Sequence, residues 1–241
     1  MQKCFKAYEL MSSHIIPEFL YKTMYDQKHR FREISTLKDK DKFHQKGIKE
    51  KLLCTQCEAK FSAYERYASL VLNGGIELNM LGHKGYVLVT ELDYEKFKLF
   101  QLSILWRASI SEHPLFKEVK LETSDESKIR EMLILEKPGD TNAYGCIIAA
   151  ITFIENPLTD VILQPEKIKI YGHPAYRFVF GGFIWIFSTS VFTQPNELSD
   201  SFLNSENQLK VYLKDAEKYQ PLVEIAQKVY IKKTNLNKKP L

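Results

Sequence analysis

The chain has 241 residues, of which 44% are hydrophobic and 27% are charged. These fractions are typical of a folded globular protein, and ten Gly and nine Pro exclude a collagen-like or low-complexity chain. Four Cys in a chain of this length exclude a small scaffold held together by disulfides. The longest apolar run, from Phe178 to Phe192, is broken by Gly181 and Gly182 and is too short for a membrane helix. The N-terminus shows no apolar signal core, so we expect a cytoplasmic protein with no membrane partner.

Charge is distributed unevenly along the chain. Residues 1–60 carry 13 Lys and Arg against 8 Asp and Glu, and residues 61–227 carry 16 against 22. The last segment, residues 228–241, carries 5 against none. The pattern indicates an acidic body between a basic head and a basic tail. A basic segment can bind a nucleic-acid backbone by releasing counterions, and it can equally be a solvated surface loop.

The N-terminal part predicts a small unit that ends in a helix. Pro17 is placed to begin a short helix through Tyr25, because proline fits the first helical turn. Residues 27–50 are polar and mostly lack a hydrophobic period, which predicts a loop or a poorly ordered excursion. Apolar residues recur at helical spacing from Glu58 to Leu72, and Asn73-Gly74-Gly75 ends that helix.

From residue 76 onward the chain predicts a mixed body. Tyr86 to Thr90 predicts a strand, and Asp93 to Ile110 predicts a helix that is apolar on every side and therefore buried. Asp125 to Leu135 predicts a second helix, and residues 206–232 predict a third, broken at Pro221. Further strands are expected at 145–154, 161–163, 168–171, 176–180 and 183–188, the last two joined by a Gly181-Gly182 hairpin. We therefore expect an α+β fold with a treble-clef-like Cys/His head at 1–73. A body with antiparallel strands and a core of its own is expected at 76–241.

Cys54-Thr55-Gln56-Cys57 is the clearest candidate for chemistry. Two thiolates at this spacing form a knuckle that holds one side of a tetrahedral zinc ion. Cys4 is the upstream thiol that can add a third ligand, and His14, His29 and His44 are candidates to complete the set. The alternatives are a redox pair and two buried thiols that bind nothing.

Two segments together carry a family resemblance: Ser13-His14-Ile15-Ile16-Pro17 and Leu53-Cys54-Thr55-Gln56-Cys57-Glu58. They resemble the HNH-type nucleases, also called ββα-metal or treble-clef nucleases. There a His-Ile-Val/Ile-Pro segment leads through a variable loop to Leu-Cys-x-x-Cys, followed by His or Asn on a helix. The resemblance covers roughly residues 1–70. The same segments, with Phe61-Ser62-Ala63-Tyr64-Glu65, are also similar to a group of bacterial proteins with no assigned activity.

The resemblance implies a metal-dependent endonuclease that hydrolyses phosphodiester bonds of nucleic acid, a class that often serves bacterial defence. It implies His14 as the general base acting on water and Glu58 as a ligand to catalytic Mg²⁺ or Mn²⁺. Structural zinc would be held by Cys4, Cys54 and Cys57. The basic loop would bind nucleic acid through Lys38, Lys40, Lys42, Lys46 and Lys49. The C-terminal body is then left to dock a protein partner or a ligand.

Three positions depart from the family pattern. Ser13 stands where the family has a metal-binding acid, Lys49 stands near the place of its orienting Asn, and Ala7 replaces a second upstream Cys. A zinc set that recruited His14 would remove this residue from catalysis. The alternative function is therefore a non-catalytic, zinc-held module that binds nucleic acid or protein.

Two further sets of charged residues have open roles. Glu58 and Glu65 are seven residues apart and can share a helix face, either as metal ligands or as a solvated face paired with Lys60 and Arg66. Arg107 lies on the apolar helix, where it can bind a phosphate or carboxylate ligand or close a buried ion pair.

Overall fold

The computed structural model describes residues 9–33, 42–194 and 196–227. This part of the chain contains both helices and strands, which confirms the predicted α+β class. The α-helices are α1 (Thr55–Leu72), α2 (Tyr94–Ile110) and α3 (Thr123–Leu135). Short 3-10 helices cover Glu18–Met24, Pro114–Phe116, Ser199–Ser201 and Ala216–Lys218, and residues 220–227 are helical. None of the helices in these ranges combines the length and the apolar character that crossing a bilayer demands.

Most strands belong to one large sheet. The strands in chain order are β1 (Met11–His14), β2 (Arg30–Glu33), β3 (Lys42–Gln45), β4 (Lys49–Leu53), β5 (Asn79–His83), β6 (Tyr86–Thr90), β7 (Cys146–Phe153), β8 (Asn156–Pro157), β9 (Leu163–Ile170), β10 (His173–Phe180), β11 (Phe183–Ser188) and β12 (Leu209–Asp215). The large sheet runs in the order β5-β6-β12-β7-β11-β10-β9, with β8 paired to β7. All its pairs are antiparallel except β12 with β7. The predicted hairpin at Gly181-Gly182 is confirmed by the pairing of β10 with β11.

Helix α2 is the centre of the core. Asp93 caps it by accepting a hydrogen bond from the Lys96 backbone N–H at 2.9 Å, and every residue from Phe97 to Ser109 is buried. α2 packs against α1 and α3. It also reaches the sheet through Phe100, whose ring contacts Trp185 edge to face at 6.1 Å between centroids. The predicted burial of this helix is therefore confirmed.

The N-terminal part forms two small antiparallel sheets, one beside α1 and one beside the 3-10 helix Glu18–Met24. β1 pairs with β4 and β2 pairs with β3, and α1 begins two residues after β4 ends. The prediction of a loop over residues 27–50 is wrong for β2, β3 and the start of β4, whereas residues 27–29 and 46–48 are irregular as predicted. These strands have four or five residues and pair with one another or with β1, and so short a strand offers too few alternations for its period to be recognised.

The C-terminal prediction needs a correction. Residues 206–232 were expected to be helical, but Leu209–Asp215 is strand β12, in the middle of the large sheet. Leu209, Val211 and Leu213 alternate with polar or aromatic residues, which is the period of a strand. The pairing of β12 with β6 on one side and β7 on the other decides its conformation.

The expectation of a separate core for the body is also wrong. One continuous cluster of buried apolar residues joins Ile15, Leu52 and Phe61 to Phe100 and Trp185. The ring of Phe19 contacts that of Phe100 at 6.2 Å, and the ring of Phe61 contacts that of Trp106 at 6.2 Å. The N-terminal part is therefore packed on α2 and is not an independent unit within the described chain.

Candidate functional site

His14 is the last residue of β1, and the neighbouring sequence fixes it there. Ile15, Ile16 and Pro17 are buried and anchor the chain immediately after the strand. In the β1–β4 register His14 lies opposite Lys49. The side chain of His14 is 16% exposed, so the imidazole is largely covered but can still be reached from solvent.

The imidazole of His14 is oriented by a backbone carbonyl. Its Nε2 lies 3.0 Å from the carbonyl oxygen of Lys46. Because a carbonyl only accepts, this nitrogen carries the proton in the neutral ring, and the Nδ1 lone pair stays available as a base. Lys46 and Gly47 both have left-handed backbone conformations, with φ of 60° and 68°. A Cβ on Gly47 would lie 3.1 Å from Cδ2 of His14, so glycine permits this close turn.

The charges around His14 are mixed. Burial and the positive charge of Lys49 lower the pKa of His14, while the Lys46 carbonyl and the carboxylates of Glu18 and Glu65 oppose that shift. Glu18 Oε2 lies 3.7 Å from Nε2 of His14, and Glu18 Oε1 lies 3.8 Å from Nε2 of His29. The lowered pKa makes the neutral imidazole the dominant form at pH 7.

The carboxylate of helix α1 that acts on His14 is that of Glu65 and not that of Glu58. Glu65 accepts a hydrogen bond from Nη1 of Arg107 at 2.7 Å, and the same Nη1 donates to the carbonyl oxygen of His14 at 2.6 Å. Arg107 therefore closes a buried ion pair, as one of the two sequence hypotheses predicted. The alternative pairing of Glu65 with a neighbouring surface cation is not what the structure shows, and Lys60 pairs with Glu136 instead.

The cysteine pair lies at the start of α1. Cys54 is the N-cap residue and is buried, and Cys57 is half-buried in the first turn. Glu58 donates its backbone N–H to the Cys54 carbonyl at 2.9 Å, and its side-chain Oε1 is buried without a hydrogen-bond partner. An unpartnered carboxylate oxygen of this kind suits a cation.

The structure describes only some of the residues that were predicted to bind metal ions. Among the residues that the structure describes, no group of three or more His, Cys, Asp and Glu side chains is placed to hold a metal ion. Cys4, the predicted third zinc ligand, lies outside the described residues. The described thiols and Glu58 therefore fit a metal by their chemistry but do not complete a set, and zinc and Mg²⁺ or Mn²⁺ stay predictions.

Of the five predicted nucleic-acid contacts, the structure places two beside His14. Lys49 is exposed and opposite His14 in the strand pair, and Lys46 is exposed and supplies the carbonyl that holds the ring. Lys42 is described only as part of the β3 backbone, and Lys38 and Lys40 lie outside the described residues.

Sequence reasoning missed Gly47 and Glu18 as parts of the site. The Lys46-Gly47 pair before a strand was a signal for a left-handed turn, and Glu18 follows His14 by four residues. No protein-family model, curated protein or solved structure matches the chain. The resemblance to HNH-type nucleases therefore depends on the two short motifs alone.

Proposed function

We propose that this protein is an HNH-like, metal-dependent endonuclease that hydrolyses phosphodiester bonds of nucleic acid with His14 as its general base. The observation that carries the proposal is the state of His14. The ring is held by the Lys46 carbonyl, keeps Nδ1 available, and has a lowered pKa at the end of a strand that leads through Pro17 into a 3-10 helix. A neutral imidazole in this state can take a proton from water at pH 7.

The surroundings of His14 suit a phosphodiester substrate. Lys49 lies opposite His14 in the strand pair and Lys46 lies in the turn whose carbonyl holds the ring, and both are exposed. Their positive charges would attract the phosphate of a nucleic acid toward this end of β1. The positive charge of Lys49 also keeps the imidazole neutral, because it disfavours the imidazolium. The positive charge of Lys49 would thus both attract the substrate and keep His14 in the form that can accept a proton.

The pairing of β1 and β4 directly before α1 supports the ββα interpretation of the head. Zinc bound by Cys54 and Cys57, with Cys4, would hold the start of α1 in place. A divalent cation at Glu58 would supply electrostatic stabilisation of the phosphorane. The chain's own side chains have separate roles: His14 takes the proton, and Lys46 and Lys49 bind the phosphate.

Replacing His14 by Ala tests the catalytic role. Loss of a general base typically lowers the rate about 10²–10⁴-fold. We expect His14→Ala to lose plasmid and single-strand cleavage in Mn²⁺ while zinc content, measured by elemental analysis, and far-UV circular dichroism stay unchanged. The matched control is His83→Ala, because His83 is exposed on β5 and outside the site. Equal cleavage rates for His14→Ala and an active wild type would contradict the proposal.

The lysines are tested by binding rather than by cleavage. On the His14→Ala background, Lys46→Ala/Lys49→Ala should remove two phosphate contacts. The slope of log affinity against log salt concentration should then become shallower by about 2, at roughly 0.9 for each contact. Lys167→Ala/Lys169→Ala, on exposed positions of β9, is the control of equal charge. An unchanged slope in the first variant would place the nucleic acid elsewhere.

One observation favours the non-catalytic alternative. Glu65, the α1 carboxylate that acts on His14, is already paired with Arg107. This pairing reduces its capacity to bind a metal beside the imidazole. The alternative predicts that the wild type binds nucleic acid and contains zinc but cleaves no substrate in Mn²⁺ or Mg²⁺.

A further inference from the structure

Arg107 joins three parts of the molecule from a buried position on α2. Its side chain is 2% exposed. Nη1 donates to the carbonyl oxygen of His14 on β1 and to Oε1 of Glu65 on α1. Nε and Nη2 donate to the carbonyl and the hydroxyl of Ser103, at 3.1 and 3.2 Å. The two contacts to Ser103 fix the plane of the guanidinium, which then sets where the other two groups lie.

We propose that Arg107 is a positioning residue for His14, an inference that rests on the proposed function. Its hydrogen bond to the His14 carbonyl fixes the backbone that carries the imidazole. Its ion pair with Glu65 holds the carboxylate of this α1 residue against α2. The ion pair also neutralises a negative charge that would otherwise act on the imidazole of His14. The body of the protein thereby controls both the place and the charge of the proposed base.

The contacts of Arg107 are more elaborate than the stability of the fold alone requires. Burying an ion pair costs desolvation of both charges, and apolar replacements of similar size are often no less stable. Here a single N–H-bearing nitrogen serves the backbone of the proposed base and the α1 carboxylate that acts on its imidazole. A lysine at this position has one ammonium and no planar fork, so it could not reproduce the same set of contacts.

Charged groups from three elements act on His14. Glu18 faces the ring from the 3-10 helix, Lys49 from β4, and Glu65 from α1, while Lys46 lies at the adjoining turn. Arg107 on α2 carries the countercharge to Glu65. Without that countercharge an unpaired carboxylate favours the imidazolium and so removes the neutral base.

The first test measures the pKa of His14 by NMR in the full chain, with the signal assigned from His14→Gln. Arg107→Met should raise the pKa of His14 by about 0.5 or more, because Glu65 loses its countercharge. Arg107→Met/Glu65→Gln should return it toward the wild-type value. If Arg107→Met does not fold, Arg107→Gln replaces it, because a glutamine can keep a hydrogen bond at this position while it removes the countercharge of Glu65. An unchanged pKa in the variants that fold overturns the proposal.

The second test separates positioning from the charge. Arg107→Lys keeps a cation but not the planar fork, so kcat should fall about tenfold or more while KM changes little. An unchanged kcat would overturn the positioning role. A wild-type protein that cleaves nothing would remove the proposed function, whereas the NMR comparison would still decide whether Arg107 controls His14.

Discussion

Lys98 and Arg107 are two cations on the buried helix α2, and their surroundings differ in charge. Arg107 has a carboxylate partner, whereas Lys98 donates to two uncharged groups, the Tyr94 hydroxyl at 3.0 Å and the Asp140 carbonyl. Burial lowers the pKa of Lys98 to about 7, against the opposing charge of Asp140. Lys98 is therefore poised between its charged and neutral forms near physiological pH.

The stability of the protein should depend on pH through Lys98. Between its folded pKa of about 7 and its ordinary value of 10.5, the unfolded chain binds the proton and the native chain does not. Stability should therefore rise with pH, by up to about 1.4 kcal/mol per pH unit, relative to a Lys98→Met variant that cannot titrate there. Urea unfolding at several values above pH 7 measures the difference. The exposed Lys96→Met serves as control, and parallel curves for wild type and Lys98→Met would contradict the assignment.

Arg107 and His14 show which contacts of a single residue can be predicted from the sequence. An arginine on a helix that is apolar all round needs a buried partner, so the ion pair of Arg107 was a reasonable prediction. Its partner was not predictable, because Glu65 lies 42 residues earlier and is brought near only by the packing of α1 on α2. The role of the Lys46 carbonyl was hidden for a similar reason, since no side-chain motif encodes a backbone acceptor.

At the scale of elements, local patterns predicted the long helices well and the pairing of strands poorly. Asp93 and the apolar run after it define α2 by themselves. β12 is different, because its neighbours in the sheet, β6 and β7, precede it by more than fifty residues. Helical residues at 220–227 and charged residues near 214–218 extended the apparent helix backward over this strand.

The start of β7 depends on the small size of Gly145. A Cβ at this position would lie 2.0 Å from Cδ2 of Phe202, whose side chain is buried. Gly145→Ala should therefore destabilise the protein by about 1–3 kcal/mol, since the ring cannot move freely. Adding Phe202→Leu should recover part of that loss, as urea unfolding can measure. Gly82→Ala on β5, where a Cβ meets nothing within 4 Å, should have little effect.

At the scale of the whole molecule, the continuous core predicts cooperative unfolding. Beyond the aromatic contacts, Glu50 on β4 accepts hydrogen bonds from the Ser111 hydroxyl at 2.7 Å and the Glu112 backbone N–H at 3.0 Å, just past the end of α2. The N-terminal part is thus bound to α2 by apolar, ionic and hydrogen-bonded contacts. Loss of either part should expose the core of the other.

Tryptophan fluorescence can test this cooperativity. Trp106 lies beside α1, and Trp185 lies on β11 in the large sheet. Trp185→Phe and Trp106→Phe leave one reporter each, and we expect each single-Trp protein to show the same urea midpoint by fluorescence and by far-UV circular dichroism. Cys54→Ser should then lower the midpoint of both reporters together. A transition that Trp106 reports at lower urea than Trp185 would show that the N-terminal part unfolds by itself.

The position of β12 has a consequence for how the protein is made. The strand at 209–215 fills the gap between β6 and β7, so a nascent chain that has not yet emerged to residue 215 cannot close its sheet. Until then the edges of β6 and β7 that β12 will cover are open to pairing with other chains. The His14 segment leaves the ribosome well before β12, so the sheet behind α2 is still open when this segment has already emerged. Translation that stalls before β12 should therefore yield aggregates rather than a folded fragment, and binding of chaperones to the nascent chain should decrease once residue 215 has emerged.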